Sequence, residues 1–161
     1  MDQDRIVPTE IDSTIRQCLV HGEVHDENAW AMGGVAPHSG LFSTVGDLGR
    51  FVRMWLCDGE LDGTQILVPD TVRLFTKCAS IVEDSTWALG WDTRSPDAST
   101  SGQHFSMSSY GILGFTGTSL WVDPEQGLGV ILLTNRVHPT RDGEGIMRLR
   151  PELHDAVVEG L

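Results

Sequence analysis

Residues 110–135 read YGILGFTGTSLWVDPEQGLGVILLTN. Two apolar runs, 117–124 and 128–135, flank Asp123-Pro124-Glu125-Gln126-Gly127, a cluster of turn formers. The pattern predicts two antiparallel strands joined by that turn. Val130, Ile131, Leu132 and Leu133 are apolar on both faces, which predicts a central strand lying under helices. Gly111, Gly114 and Gly117 fall within seven residues and lead directly into the first strand. Glycine at a sheet edge lets a ligand or another backbone come close. Exposed N–H groups at such a place can bind a carbonyl oxygen and hold charge that develops on it. A bulge that needs positive φ explains the same glycines equally well.

The flanking segments extend this pattern. TWALGWDT, 86–93, alternates Trp87, Leu89 and Trp91 and predicts a short strand. Residues 94–103 read as a polar loop, and HFSMSSYGIL, 104–113, as a second strand. A closing helix is expected over 145–159, with Ile146, Leu149, Leu153 and Val157 on one side and Pro151 marking a start or a kink.

Residues 1–80 differ in character and read as helix and loop. Residues 1–45 lack sustained periodicity, apart from a short helical piece near 27–32. Ser43 or Thr44 can cap a helix with Asp47 in its first turn and a stripe of Leu48, Phe51, Val52, Trp55 and Leu56; Gly59 ends it. Asp58-Gly59 and Asp62-Gly63 are turn signals around a very short hairpin or loop. Pro69 opens another helix, with Val72, Leu74, Phe75 and Cys78 as its expected buried face. Helices, an antiparallel meander and a closing helix make an α+β layered arrangement whose sheet has open edges.

Composition narrows the function classes. The 161 residues leave room for one compact domain. Eleven Lys plus Arg against 23 Asp plus Glu give a net charge of −12, which excludes a broadly basic nucleic-acid footprint. No apolar run approaches the ~20 residues of a membrane span. The N-terminus lacks the basic start and apolar stretch of a secretory signal, and the compartment stays open. Cys18, Cys57 and Cys78 are odd in number and widely spaced, so they read as small buried hydrophobes rather than a disulfide or zinc framework.

Several chemistries fail on spacing. HGEVHDE, 21–27, is rich in metal ligands, but its glutamate fits neither HExxH nor HxxEH; a polar loop bonding its own backbone is the expectation. DGELDG, 58–63, opens like a calcium loop, yet its twelfth position is Pro69. Neither Ser39 nor Ser119 sits in GxSxG. No glycine-rich phosphate cradle occurs, and no cofactor is implied.

The segment GVAPHSGLFSTVGDLGRFVRMWLCDGELDGTQILVPDTV, 34–72, resembles a characteristic stretch of the serine β-lactamase-like family. That family includes class C β-lactamases, DD-peptidases and related esterases. Ser43-Thr44, Asp47-Leu48, Phe51, Gly59-Glu60, Gly63 and Ile66-Leu67 carry the likeness. GFTGTSLWVDPEQGLGVILLTNRVHP, 114–139, is similar to the family's third active-site motif and the strands after it. GEVHDENA, 22–29, matches a subgroup, and the NRVHP ending places His138 in a structural role. The resemblance spans residues 7–158 and implies a partial β-lactamase/transpeptidase-like fold.

In that family a serine in SxxK attacks an acyl group, the lysine moves a proton and a YxN motif assists. The third motif, KTG or HTG, lies on an edge strand, helps bind the substrate carboxylate and lends one oxyanion N–H from the residue after its glycine. Here SxxK and YxN are absent: Lys77 is the only lysine, and Tyr110, the only tyrosine, is followed by Gly111 and Ile112. The third motif reads Ile112-Leu113-Gly114, hydrocarbon in place of both polar side chains. Gly114 and the Phe115 N–H are the surviving oxyanion candidates, and His38, Ser39, Ile112, Leu113 and Thr116 are expected to line the pocket.

The expectation is the C-terminal portion of a β-lactamase-related serine hydrolase, truncated and inactive alone. Its missing half would be its partner, or copies would associate through the open sheet edge. The alternative is a non-catalytic descendant that binds a peptide, a glycopeptide or a partner.

Overall fold

The computed structural model describes residues 3–161. Local chemistry starts the first three α-helices. Asp26 accepts the Ala29 N–H at 2.8 Å and caps α1 (Glu27–Ala31). Thr44 accepts the Asp47 N–H at 3.2 Å and caps α2 (Val45–Leu56). Pro69, at the first helical position, opens α3 (Pro69–Thr76). The closing helix α4 (Gly145–Glu159) holds Pro151 inside it rather than at its start.

The main sheet is an antiparallel meander in the order β5 (Asp92–Thr93), β6 (Tyr110–Leu113), β7 (Ser119–Asp123), β8 (Leu128–Leu132). Two short hairpins precede it. One pairs β1 (Ile11–Asp12) with β2 (Cys18–Leu19); the other pairs β3 (Glu60–Leu61) with β4 (Thr64–Gln65). Asp62 and Gly63, both at positive φ, turn the second. Asp12 accepts the N–H groups of Ile15, Thr14 and Arg16 across the first hairpin, and these hold its carboxyl well below the usual carboxylate range.

Side-chain alternation on the strands divides the core in two. Tyr110, Leu120 and Val122 face α2 and α3 and pack with Val52, Trp55 and Val72. Trp121 and Val130 face the other way, with Phe105 and the Leu153 and Val157 side chains of α4. The sheet is therefore sandwiched between helices on both faces. Asp123 closes the turn after β7. Burial opposes its charge, but hydrogen bonds from Ser106 and Gln126 prevail and keep its carboxyl low.

The structure corrects several expectations. Val130, Ile131 and Leu132 lie in β8, an edge strand of the sheet among the described residues, and β7, buried along its whole length, is one of the two interior strands. The apolar faces of β8 reflect helices on both sides: a Cβ on Gly129 would collide with Val52 of α2, and Val130 meets α4. Residues 86–93 are mostly a turn, because Gly90 at φ +90° reverses the chain and Ala88 bonds Trp91 at 2.8 Å. The strand expected over 104–113 begins at Tyr110, since the Ser106 N–H and hydroxyl are bound to Asp123.

Helix faces also differ. Only Val72 of α3 is buried; Leu74 and Phe75 are exposed and Cys78 is half-buried, because one narrow face of a short helix meets the core. On α4 the fully buried positions are Ile146, Arg150 and His154, an i, i+4 series, while Leu149 is exposed. Cys18 and Cys57 are exposed, one on a surface hairpin and one at the C-cap of α2. No helix among the described residues is long and apolar enough to cross a membrane.

Candidate functional site

Between β6 and β7 the chain makes the turn Gly114-Phe115-Thr116-Gly117-Thr118. Gly114 N–H donates to Thr118 O at 2.9 Å and Gly117 N–H to Gly114 O at 3.0 Å. Gly117 has φ +112°, and a Cβ there would press on the Arg136 backbone. A Cβ on Gly114 would collide with the Thr118 hydroxyl. The turn is docked on the segment after β8: Arg136 N–H donates to Thr116 O at 2.8 Å.

Two arginines hold the turn from behind. Arg150 Nη2 donates to Gly114 O at 2.8 Å and to Thr118 O at 2.7 Å. Arg136 Nε donates to Phe115 O at 2.7 Å, and its guanidinium lies 4.2 Å from the Phe115 ring centroid. His25 stacks on the same ring at 5.7 Å. Burial, with the Arg136 charge nearby, pushes Arg150 below the usual arginine value. Leu113, Phe115, Arg136, Glu144, Ile146 and Arg150 line an open cavity of about 390 Å³ beside α4.

β5 pairs only with Tyr110 and Gly111, so the outer edge at Ile112 and Leu113 has no strand partner among the described residues. The Phe115 N–H donates to no acceptor among them either. A free N–H on a glycine-rich turn is the kind of donor that binds an oxyanion.

A charge network lies behind His25. Its Nε2 is 2.8 Å from Glu10 Oε2; Arg141 Nε reaches Glu10 at 2.9 Å, and Arg141 Nη2 reaches both Glu10 and Glu27 at 2.5 Å. The Arg141 hydrogen bond is the main cause that brings the Glu10 carboxyl down to about 2. His21 instead bonds Ile6 O at 2.7 Å.

The expected pocket residues do not all meet. Gly114, Phe115 and Thr116 form the turn, with Ile112 exposed and Leu113 half-buried beside it. His38 bonds Asp26 at 2.9 Å, and the Ser39 hydroxyl is enclosed without a partner. No hydrogen bond or ring contact joins His38 or Ser39 to 112–116 among the described residues. The link is indirect, through Asp26 next to His25. Sequence reading missed Arg150, Arg136, Glu10, His25 and Arg141 as neighbours of the turn. For Arg150 a signal existed: a cation four residues after Ile146, on the apolar stripe.

A model of the Beta-lactamase family matches residues 7–153. The chain belongs to the Beta-lactamase family. It is 34% identical over 147 residues to an Escherichia coli K12 protein that carries the provisional name D-alanyl-D-alanine carboxypeptidase, covering 83% of this chain and 33% of that protein. It is 40% identical over 135 residues to the N-acetylmuramyl-L-alanine amidase of Bacillus subtilis, covering 81% and 30%. The chain thus spans about a third of the length of the curated relatives it matches. In fold it matches the crystal structure of a β-lactamase from Mycobacterium bovis, with TM-score 0.62 and 24% identity over 76% of this chain and 46% of that one. The expected α+β, partial β-lactamase-like fold is the one observed.

Proposed function

We propose that this Beta-lactamase-family chain carries the oxyanion side of an acyl-serine hydrolase site and does not hydrolyse acyl groups by itself. The observation that carries the reading is the Phe115 N–H, without an acceptor among the described residues and set in the glycine turn just after the unpaired end of β6. Ile112, Leu113 and Thr116 line the pocket in this reading, and His38 and Ser39 border it from the Asp26 side. The names of the relatives favour an amide substrate.

Inactivity alone rests on the nucleophile. A serine hydroxyl needs a partnered base to attack at neutral pH. Among the described residues no serine hydroxyl is hydrogen-bonded to a histidine or a lysine, and Lys77 sits at the C-cap of α3. SxxK and YxN are then supplied by a further segment or chain, for which the free edge of β8 is the pairing site.

The test is turnover of a chromogenic cephalosporin and a nitrophenyl ester, with this chain alone and with the SxxK- and YxN-bearing portion of a relative. Turnover only in the mixture supports the proposal. A penicilloyl adduct on the isolated chain contradicts it. The exposed Ile112 beside Leu113 favours a second reading, a peptide-binding descendant. Binding of an acyl-D-alanyl-D-alanine peptide at β6 with no turnover in any mixture would favour that reading instead.

A further inference from the structure

Arg150 is 5% exposed, and none of the ion pairs among the described residues includes it. Burying a cation without a carboxylate is costly. In a chain of net charge −12 its partners are nonetheless two backbone carbonyls, Gly114 O and Thr118 O. Gly114 O belongs to the same peptide group as the Phe115 N–H. That bond is trans, so its C=O and N–H point in opposite directions. A guanidinium fixed on the carbonyl therefore fixes where the N–H points, which is away from α4. The hydrogen bond is charge-assisted, and withdrawing electron density through the carbonyl strengthens the N–H as a donor. The second bond, to Thr118 O, ties Arg150 to the carbonyl that accepts the Gly114 N–H, so both ends of the turn are locked together.

We propose that Arg150 is a positioning residue that aims and polarises the Phe115 N–H through the Gly114 carbonyl. The inference rests on the reading of that N–H as the oxyanion donor, yet the geometry can be tested without catalysis. Arg136 holds the next peptide, through Phe115 O, so the donor residue is clamped on both sides.

Nuclear magnetic resonance on the labelled chain decides it. A scalar coupling from Arg150 Nη2 to the Gly114 carbonyl carbon is expected in the native protein, and its absence overturns the proposal. In Arg150→Met the Gly114 carbonyl and Phe115 amide resonances should move upfield, while Gly129 across the sheet stays in place. Arg150→Lys, which keeps a cationic donor, should recover part of the shift. Equal shifts at Gly129, or no rescue by lysine, would reduce Arg150 to a packing role and overturn the proposal. If Arg150→Met does not fold, the native coupling and the lysine variant still decide. In a turnover-competent mixture Arg150→Met should lower kcat about tenfold with KM unchanged, less than the 10²–10³ for outright loss of a donor. Coupling and shifts as expected, with no turnover in any mixture, would uphold the positioning and sink only the hydrolase reading.

Discussion

The guanidinium of Arg136 covers the ring of Phe115 at 4.2 Å while its Nε takes the carbonyl of that same residue at 2.7 Å. One side chain thus fixes both the ring and the backbone of the residue whose N–H meets no acceptor among the described residues. Its Nη1 goes on to the Arg141 and Gly143 carbonyls at 3.0 and 3.2 Å, which ties the turn to the loop before α4.

Replacing that group should loosen the turn and the loop together. Arg136→Leu removes a stacked cation, about 0.5–1 kcal/mol at an exposed ring, and three hydrogen bonds to carbonyls. The expected loss is about 2 kcal/mol, read as a lower urea midpoint. Arg136→Lys should fall in between. An unchanged midpoint in Arg136→Leu would show that the stacking and the carbonyl bonds contribute nothing net.

Acid should destabilise the protein through Glu10. Hydrogen bonds from Arg141 and His25 outweigh burial and hold its carboxyl at about 2, down from 4.5. A depressed carboxylate adds stability above its unfolded value, and that stability disappears as pH falls through the folded one. The window therefore runs from 4.5 down to about 2. Asp12, Asp26 and Glu27, held low by the Ile15 and Ala29 N–H groups and by Arg141 respectively, act with the same sign. Glu10→Gln isolates one contribution: denaturant midpoints should fall less steeply across the window than in the parent protein. Parallel curves would mean that Glu10 titrates as it does in the unfolded chain.

Close packing of β8 on α2 gives a third expectation. A Cβ on Gly129 would overlap Val52 Cγ1, so the Val52 side chain, the strand or the helix must shift. Gly129→Ala should cost about 1–3 kcal/mol. Val52→Ala in the same molecule should restore part of that cost, giving a measurable coupling in a double-mutant cycle. Additive losses in thermal or urea unfolding would place the conflict elsewhere.

Much of the fold could be read from single residues. Thr44 with Asp47, Pro69, and the Asp123–Gly127 turn each start or stop an element through local chemistry, and local chemistry is written in the sequence. Strand neighbours are not. The apolar faces of 130–133 report helices above and below, which an edge strand and an interior one share. Gly90 was one small residue in an alternating run, yet its backbone angle turned a strand into a bend. At the site, glycine spacing marked the stretch, and the family resemblance singled out Gly114 and Phe115 within it. Arg150 stayed hidden because its partner lies 36 residues away and accepts through a carbonyl, which no side-chain pattern records.

Among the described residues, the unpaired end of β6 and the outer edge of β8 lie on opposite flanks of β7. With strands ~4.8 Å apart, β6 and β8 are separated by about 10 Å. In the proposed reading, assembly with another polypeptide along β8 would not use the β6 margin beside the glycine turn. In that reading construction and recognition would take separate borders of one small platform.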